Sequence, residues 1–93
     1  MAIRLIVSIP ALPGKGPELA RVRAPRAAEV RKEPGCLQFD LFQNTEDPDQ
    51  LLLVEKWADE DSLAIHSALN QQRPQLGTDL RAGPSVLERY AME

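Results

Sequence analysis

Aromatic side chains are nearly absent from this sequence: two Phe, one Tyr and one Trp make 4% of 93 residues, so its core must be aliphatic and each ring is scarce. Cysteine is rarer still. The single Cys36 excludes an intrachain disulfide and fits a reducing cytoplasm. With one His beside that one Cys, and no ligand-type spacing, the chain has little with which to assemble a metal site. Basic residues are in deficit, 11 against 14 acidic, and the formal charge of −3 argues against general nucleic-acid binding, which calls for a net basic surface. An apolar run of membrane-spanning length is also missing. The N-terminal MAIRLIVSIP is too short for a span, shows no small-residue cleavage site and reads better as a first strand, so no membrane association is expected and the cytoplasm is the expected location. Without repeats, linkers or low-complexity tracts, residues 1–93 read as one domain, near the low end of what buries an adequate core unaided. A sheet face left apolar and wet in so small a unit would be covered by a second copy, so a homodimer is expected.

What is present alternates between two periods. Ile3 to Ile9 reads as a strand, with Ile3, Leu5, Val7 and Ile9 on one side. Pro10, Pro13, Gly14 and Gly16 break it, and Pro17 and Glu18 suit the first turn of a helix expected to run to about Lys32. Pro25 lies inside that helix and predicts a kink; Pro34 and Gly35 end it. From Cys36 to Gln43 the period returns to two, placing Leu37, Phe39 and Leu41 on one face. Asn44 to Gln50 then reads as a hairpin loop before a strand over Leu51–Trp57. A second helix follows to about Asn70, another helical piece is expected from Pro74 with Leu76 and Leu80 four apart, and Ser85–Met92 reads as a last strand. The order β-α-β-β-α-β predicts an α+β, ferredoxin-like, four-stranded antiparallel sheet with its helices on one face.

The stretch LLLVEKWADEDSLAIH, residues 51–66, concentrates the chemistry. Asp59 is placed as an N-cap, with Glu60 and Asp61 in the first turn. Trp57 closes the strand and His66 stands about two turns into the helix, so both rings can reach the mouth of one cavity between sheet and helix. Each residue also has a plainer use. His66 can be a structural hydrogen-bonding residue, and Trp57 the largest plug in an aliphatic core. Glu55 shares strand parity with Trp57 and could touch a ligand, although a salt bridge to an Arg is its simpler fate. Arg21, Arg23, Arg26, Arg31 and Lys32 read as the solvated side of an amphipathic helix, and Cys36 as a small buried hydrophobe.

The run Glu33-Pro34-Gly35-Cys36-Leu37-Gln38-Phe39-Asp40, followed by Glu55-Lys56-Trp57-Ala58-Asp59, Ser62-Leu63 and His66, and preceded by Pro13-Gly14-Lys15, resembles the antibiotic biosynthesis monooxygenase family. That resemblance spans nearly the whole chain. It implies a dimeric α/β barrel in which the open faces of two ferredoxin-like sheets pack together, with a pocket in each subunit between sheet and helices. It also implies kinship with quinol and anthrone oxygenases that use neither metal nor flavin, so no cofactor is expected. Two departures stand out: Gln71 occupies a place where members often carry a second His, and Pro25 interrupts a helix that is usually unbroken.

Oxygen chemistry without a cofactor needs an electron-rich substrate anion, hence a group to remove a proton, a partner for the resulting oxyanion and exclusion of water. His66 is the one side chain whose ordinary pKa lies near neutrality, and is assigned to proton handling. Trp57 is assigned to binding and oxyanion contact through its indole N–H, with Phe39 as a further wall and Glu55 as a possible ligand contact. The expected activity is monooxygenation of a small aromatic quinol- or anthrone-like substrate. The alternatives are a non-catalytic dimeric small-molecule-binding module and an isomerase using the same pocket.

Overall fold

The computed structural model describes residues 1–92; Glu93 lies outside the described residues. The chain runs β1 (Ala2–Pro10), α1 (Gly16–Val30), β2 (Cys36–Gln43), β3 (Gln50–Trp57), α2 (Glu60–Gln72), a single 3-10 turn (Thr78–Leu80) and β4 (Val86–Met92). All neighbouring strands are antiparallel, in the order β2-β3-β1-β4, which is the ferredoxin-like α+β arrangement expected. Strand alternation builds the core. Ile3, Leu5 and Ile9 of β1, with Leu51, Leu53 and Trp57 of β3, bury against Leu19, Ala27 and Val30 of α1 and Leu63 of α2. The side chains between them face away from the helices, where Phe42, Leu52, Val86 and Tyr90 are exposed.

The register carries the site. Phe39 stands opposite Glu55, and Glu55 opposite Leu5, so the three share the helix-facing side of one transverse row. Trp57, two residues on, shares that side. Between Cys36 and Gln38 the β2–β3 pairing shifts by one residue. The bulge ejects Leu37, which is 59% exposed rather than beside Phe39 and Leu41 as strict alternation predicted. It also turns Cys36 toward the helix side, opposite Trp57.

Other departures have local causes. The helix α1 ends at Val30 and runs through Pro25, an exposed position where the carbonyl left without an N–H partner can be hydrated. The helical piece expected from Pro74 is reduced to Thr78–Leu80 because Gly77 takes a left-handed φ of 72°, which turns the chain so that Leu80 enters the core. In β4, Val86 and Leu87 are exposed. At the head of α2, Asp59 caps as expected, its carboxylate accepting the Ser62 N–H at 2.8 Å. That contact holds the Asp59 carboxyl below its usual pKa.

Gly35 joins these parts. Its φ is 82°, its carbonyl accepts the Ala58 N–H at 2.8 Å, and a Cβ built on it would lie 2.0 Å from the Ser62 hydroxyl. Gly35→Ala should therefore destabilise the fold by about 2 kcal/mol or more, read as a lower urea midpoint. An unchanged midpoint would show that the turn does not clamp α2 to β3.

Candidate active site

His66 is held on both sides. It projects from α2 into the interior, 7% exposed, with Leu63 one turn earlier as the other buried residue of that helix. Its Nδ1 lies 2.9 Å from Glu33 Oε1, and Glu33 Oε2 is paired at 2.8 Å with Arg73 Nη1, just beyond the end of α2. A carboxylate can only accept, so Nδ1 carries the proton in this contact, leaving the lone pair of the neutral ring on Nε2. That atom points toward Glu55, whose Oε1 is 3.9 Å away.

Glu55 does not pair with an Arg, the fate its strand position suggested. It is 5% exposed and accepts the Trp57 indole N–H at 2.9 Å. Burial raises its pKa, and Glu33 adds to the rise; the Trp57 hydrogen bond, His66 and Arg23 oppose it. Trp57 is fully buried, stacked on the His66 ring with centroids 4.5 Å apart and planes at 27°. The rings touch, but the expectation that both reach one cavity fails for Trp57, which lies off the cavity wall with its N–H committed to Glu55 rather than free for a substrate oxygen. Phe39 meets His66 edge-on at 5.8 Å from the opposite strand.

A cavity of about 260 Å³ opens beside these groups, floored by Val7, Phe39, Leu41, Leu53, Glu55 and His66. The expectation that the α1 arginines are merely solvated fails for Arg23 and Arg26, which line this cavity together with Arg73 and Arg81. Arg31 Nε donates to the Phe39 carbonyl at 2.9 Å, tying the end of α1 to β2, while Arg21 and Lys32 are exposed. Cys36 is half-buried and its thiol is pushed up by burial and by Glu33 and Glu55, an unreactive setting. Among the described residues, no three His, Cys, Asp or Glu side chains are arranged to hold a metal ion.

The antibiotic biosynthesis monooxygenase profile matches residues 2–73 of this chain. The chain belongs to that family. Solved structures agree in shape: PA3566 from Pseudomonas aeruginosa is 28% identical, with a TM-score of 0.81 over 99% of this chain and 94% of that one. A Caulobacter crescentus protein assigned provisionally to the same monooxygenases is 26% identical, with a TM-score of 0.80 over 99% and 91% of the two chains. One from Nitrosomonas europaea, also provisionally assigned, is 21% identical and shows the shared fold alone, with a TM-score of 0.85 over 98% and 89%. Among curated proteins no match was found.

Within this family member, sequence reasoning passed over Glu33 and Arg73 as site residues. Glu33 stood in the run that carried the family resemblance, and its place just past the helix end was the available signal. Arg73 had none, since its partner is 40 positions away in sequence. Because burial raises the Glu55 pKa, the folded state keeps that proton to higher pH than the unfolded chain does. The stability it contributes is complete below the unfolded Glu value and is lost as pH rises through the folded one. Glu55→Gln should therefore gain stability relative to wild type as pH rises above the ordinary Glu value of about 4.3, compared by urea midpoints. A flat or shrinking difference contradicts this.

Proposed function

We propose that the protein is a cofactor-independent monooxygenase acting with O₂ on a small aromatic quinol- or anthrone-like substrate, and that it works as a homodimer. The observation that carries this reading is the Glu33–His66 hydrogen bond, which leaves a basic Nε2 at an apolar-floored cavity. The substrate ring lies against Phe39, Leu41 and Leu53, and Nε2 takes a proton from its hydroxyl or from its activated ring carbon. Glu33 stabilises the imidazolium that forms, and a protonated Glu55 donates to the oxygen on which the substrate's negative charge gathers. Trp57 acts through these two, holding the His66 plane and the Glu55 carboxyl; it is a positioning residue.

Electron flow then closes without a reductant. The substrate anion delivers electrons to O₂ and a C–O bond forms; the O–O bond then breaks, one oxygen staying on the ring carbon and the other leaving as water. For an anthrone, a ring CH₂ becomes C=O and supplies all four electrons. For a quinol, the product is a hydroxylated quinone. Family membership supports monooxygenase chemistry of this kind.

The homodimer rests on the sheet face turned away from the helices. Phe42 stands opposite Leu52, Leu52 opposite Ser8 and Ser8 opposite Val86, so three exposed apolar side chains share one row, with Tyr90 exposed on the same face. A second copy covers that face in an isologous pairing.

Oxygen uptake above autoxidation, with menadiol or anthrone, tests the chemistry: His66→Gln should lower kcat by roughly a hundredfold or more. Binding of either compound with no uptake in wild type would favour the non-catalytic module. For the assembly, Leu52→Arg should convert a sedimenting dimer to monomer, and a wild-type monomer at micromolar concentration would dismiss the sheet-face pairing.

A further inference from the structure

The geometry points to an acidic substrate: the cavity takes a compact aromatic carboxylate, its ring on the apolar floor and its carboxylate among Arg23, Arg26 and Arg81. This deepens the function proposed above and rests on the same cavity.

Charge within the cavity is the first support. In a chain of net charge −3, four arginines line one hollow, and the carboxylates near them are already engaged. Glu33 is taken by Arg73 and His66, and Glu55 by the Trp57 N–H. Arg26 has the outward Glu29, 4.0 Å from its Nε, and the Pro74 carbonyl, 3.4 Å from its Nη2. Arg23 and Arg81 make no ion pair among the described residues; their nearest acceptors are the Leu76 carbonyl at 3.5 Å and the Ser85 hydroxyl at 3.4 Å, both at the limit of a hydrogen bond. The Nε atoms of Arg26 and Arg81 are buried without a partner. Partly buried guanidiniums left unpaired are costly, and an anion between them relieves the cost.

Placement is the second support. Arg23 and Arg26 are three apart on α1, so they present guanidiniums from one helix face, while Arg81 comes from the segment before β4. These three are only partly buried, whereas Phe39, Glu55 and His66 are deep. The cavity is thus graded from a cationic rim to an apolar floor holding the proton acceptor. Burial first, then the neighbouring Arg81 and Arg26 charges, lowers the Arg23 pKa, with Glu55 opposing the shift. The planar fork of an Arg matches a carboxylate in two-point contact. A cavity of about 260 Å³ limits the occupant to a small fused ring system with little besides the acid group.

The test is anaerobic titration of the whole protein by calorimetry with 1-hydroxy-2-naphthoate, 1-naphthol and inorganic phosphate, which reads binding without turnover. The naphthoate should bind about tenfold or more tightly than naphthol, with an advantage that shrinks as salt rises. Arg23→Gln combined with Arg81→Gln should erase that advantage and leave naphthol binding unchanged, while the corresponding double Lys variant, which keeps both charges, should restore part of it. Circular dichroism checks that each variant is folded. Equal affinities for acid and phenol in wild type overturn the proposal, as does a naphthoate affinity unmoved by the double Gln variant. Naphthoate that binds no better than phosphate, or not at all at millimolar concentration, overturns it too. His66→Gln separates the two readings: tight naphthoate binding in wild type and variant, with no oxygen uptake by either, upholds the acid site and rejects the oxygenase.

Discussion

The hydrogen bond between Glu33 and His66 is the constraint around which the rest of the interior is arranged. It joins the turn after α1 to the middle of α2, so both helices must dock on the sheet for it to form. Burying a carboxylate there requires compensation, which Arg73 provides from beyond the far end of α2. The bond also decides which imidazole nitrogen is free. A His on the same helix without that partner would have no reason to turn Nε2 toward the cavity.

Two carboxylates flank one imidazole, and they are treated differently. Glu33 is charge-paired, while Glu55 sits on the sheet with a neutral indole donor and an elevated pKa. The two acids therefore meet the imidazole in different settings, Glu33 shared with a guanidinium and Glu55 set in a buried site that disfavours its charged form. The scarcity of aromatics gives this arrangement its economy: Trp57 stacks on His66, Phe39 meets it edge-on, and half of the chain's four aromatic rings are thereby spent fixing one imidazole.

The cavity's charge runs against that of the whole chain. The protein is acidic, yet its hollow gathers four arginines from α1, from just past α2 and from the segment before β4. Net charge describes long-range behaviour; recognition depends on which charges the fold brings together.

The element order, the two periodicities of the strands and helices and the Asp59 cap were all legible in the sequence. Each depends on spacing within a segment or across one short turn, where backbone geometry leaves little choice. The bulge at Leu37 was not legible, because alternation carries no mark of an extra residue until the partner strand sets the register. The same holds for Glu33 beside His66, for Arg73 and for the inward turn of Arg23 and Arg26. A helix with few large apolar residues offers several faces as its solvated side, and only the docking of α1 on the sheet selects one. Sequence by itself determined the fold and singled out His66, because periodicity and a unique imidazole are local facts. Tertiary structure alone decided that imidazole's partner, its free nitrogen and the charge it faces, because those depend on side chains more than thirty residues apart brought within about 3 Å.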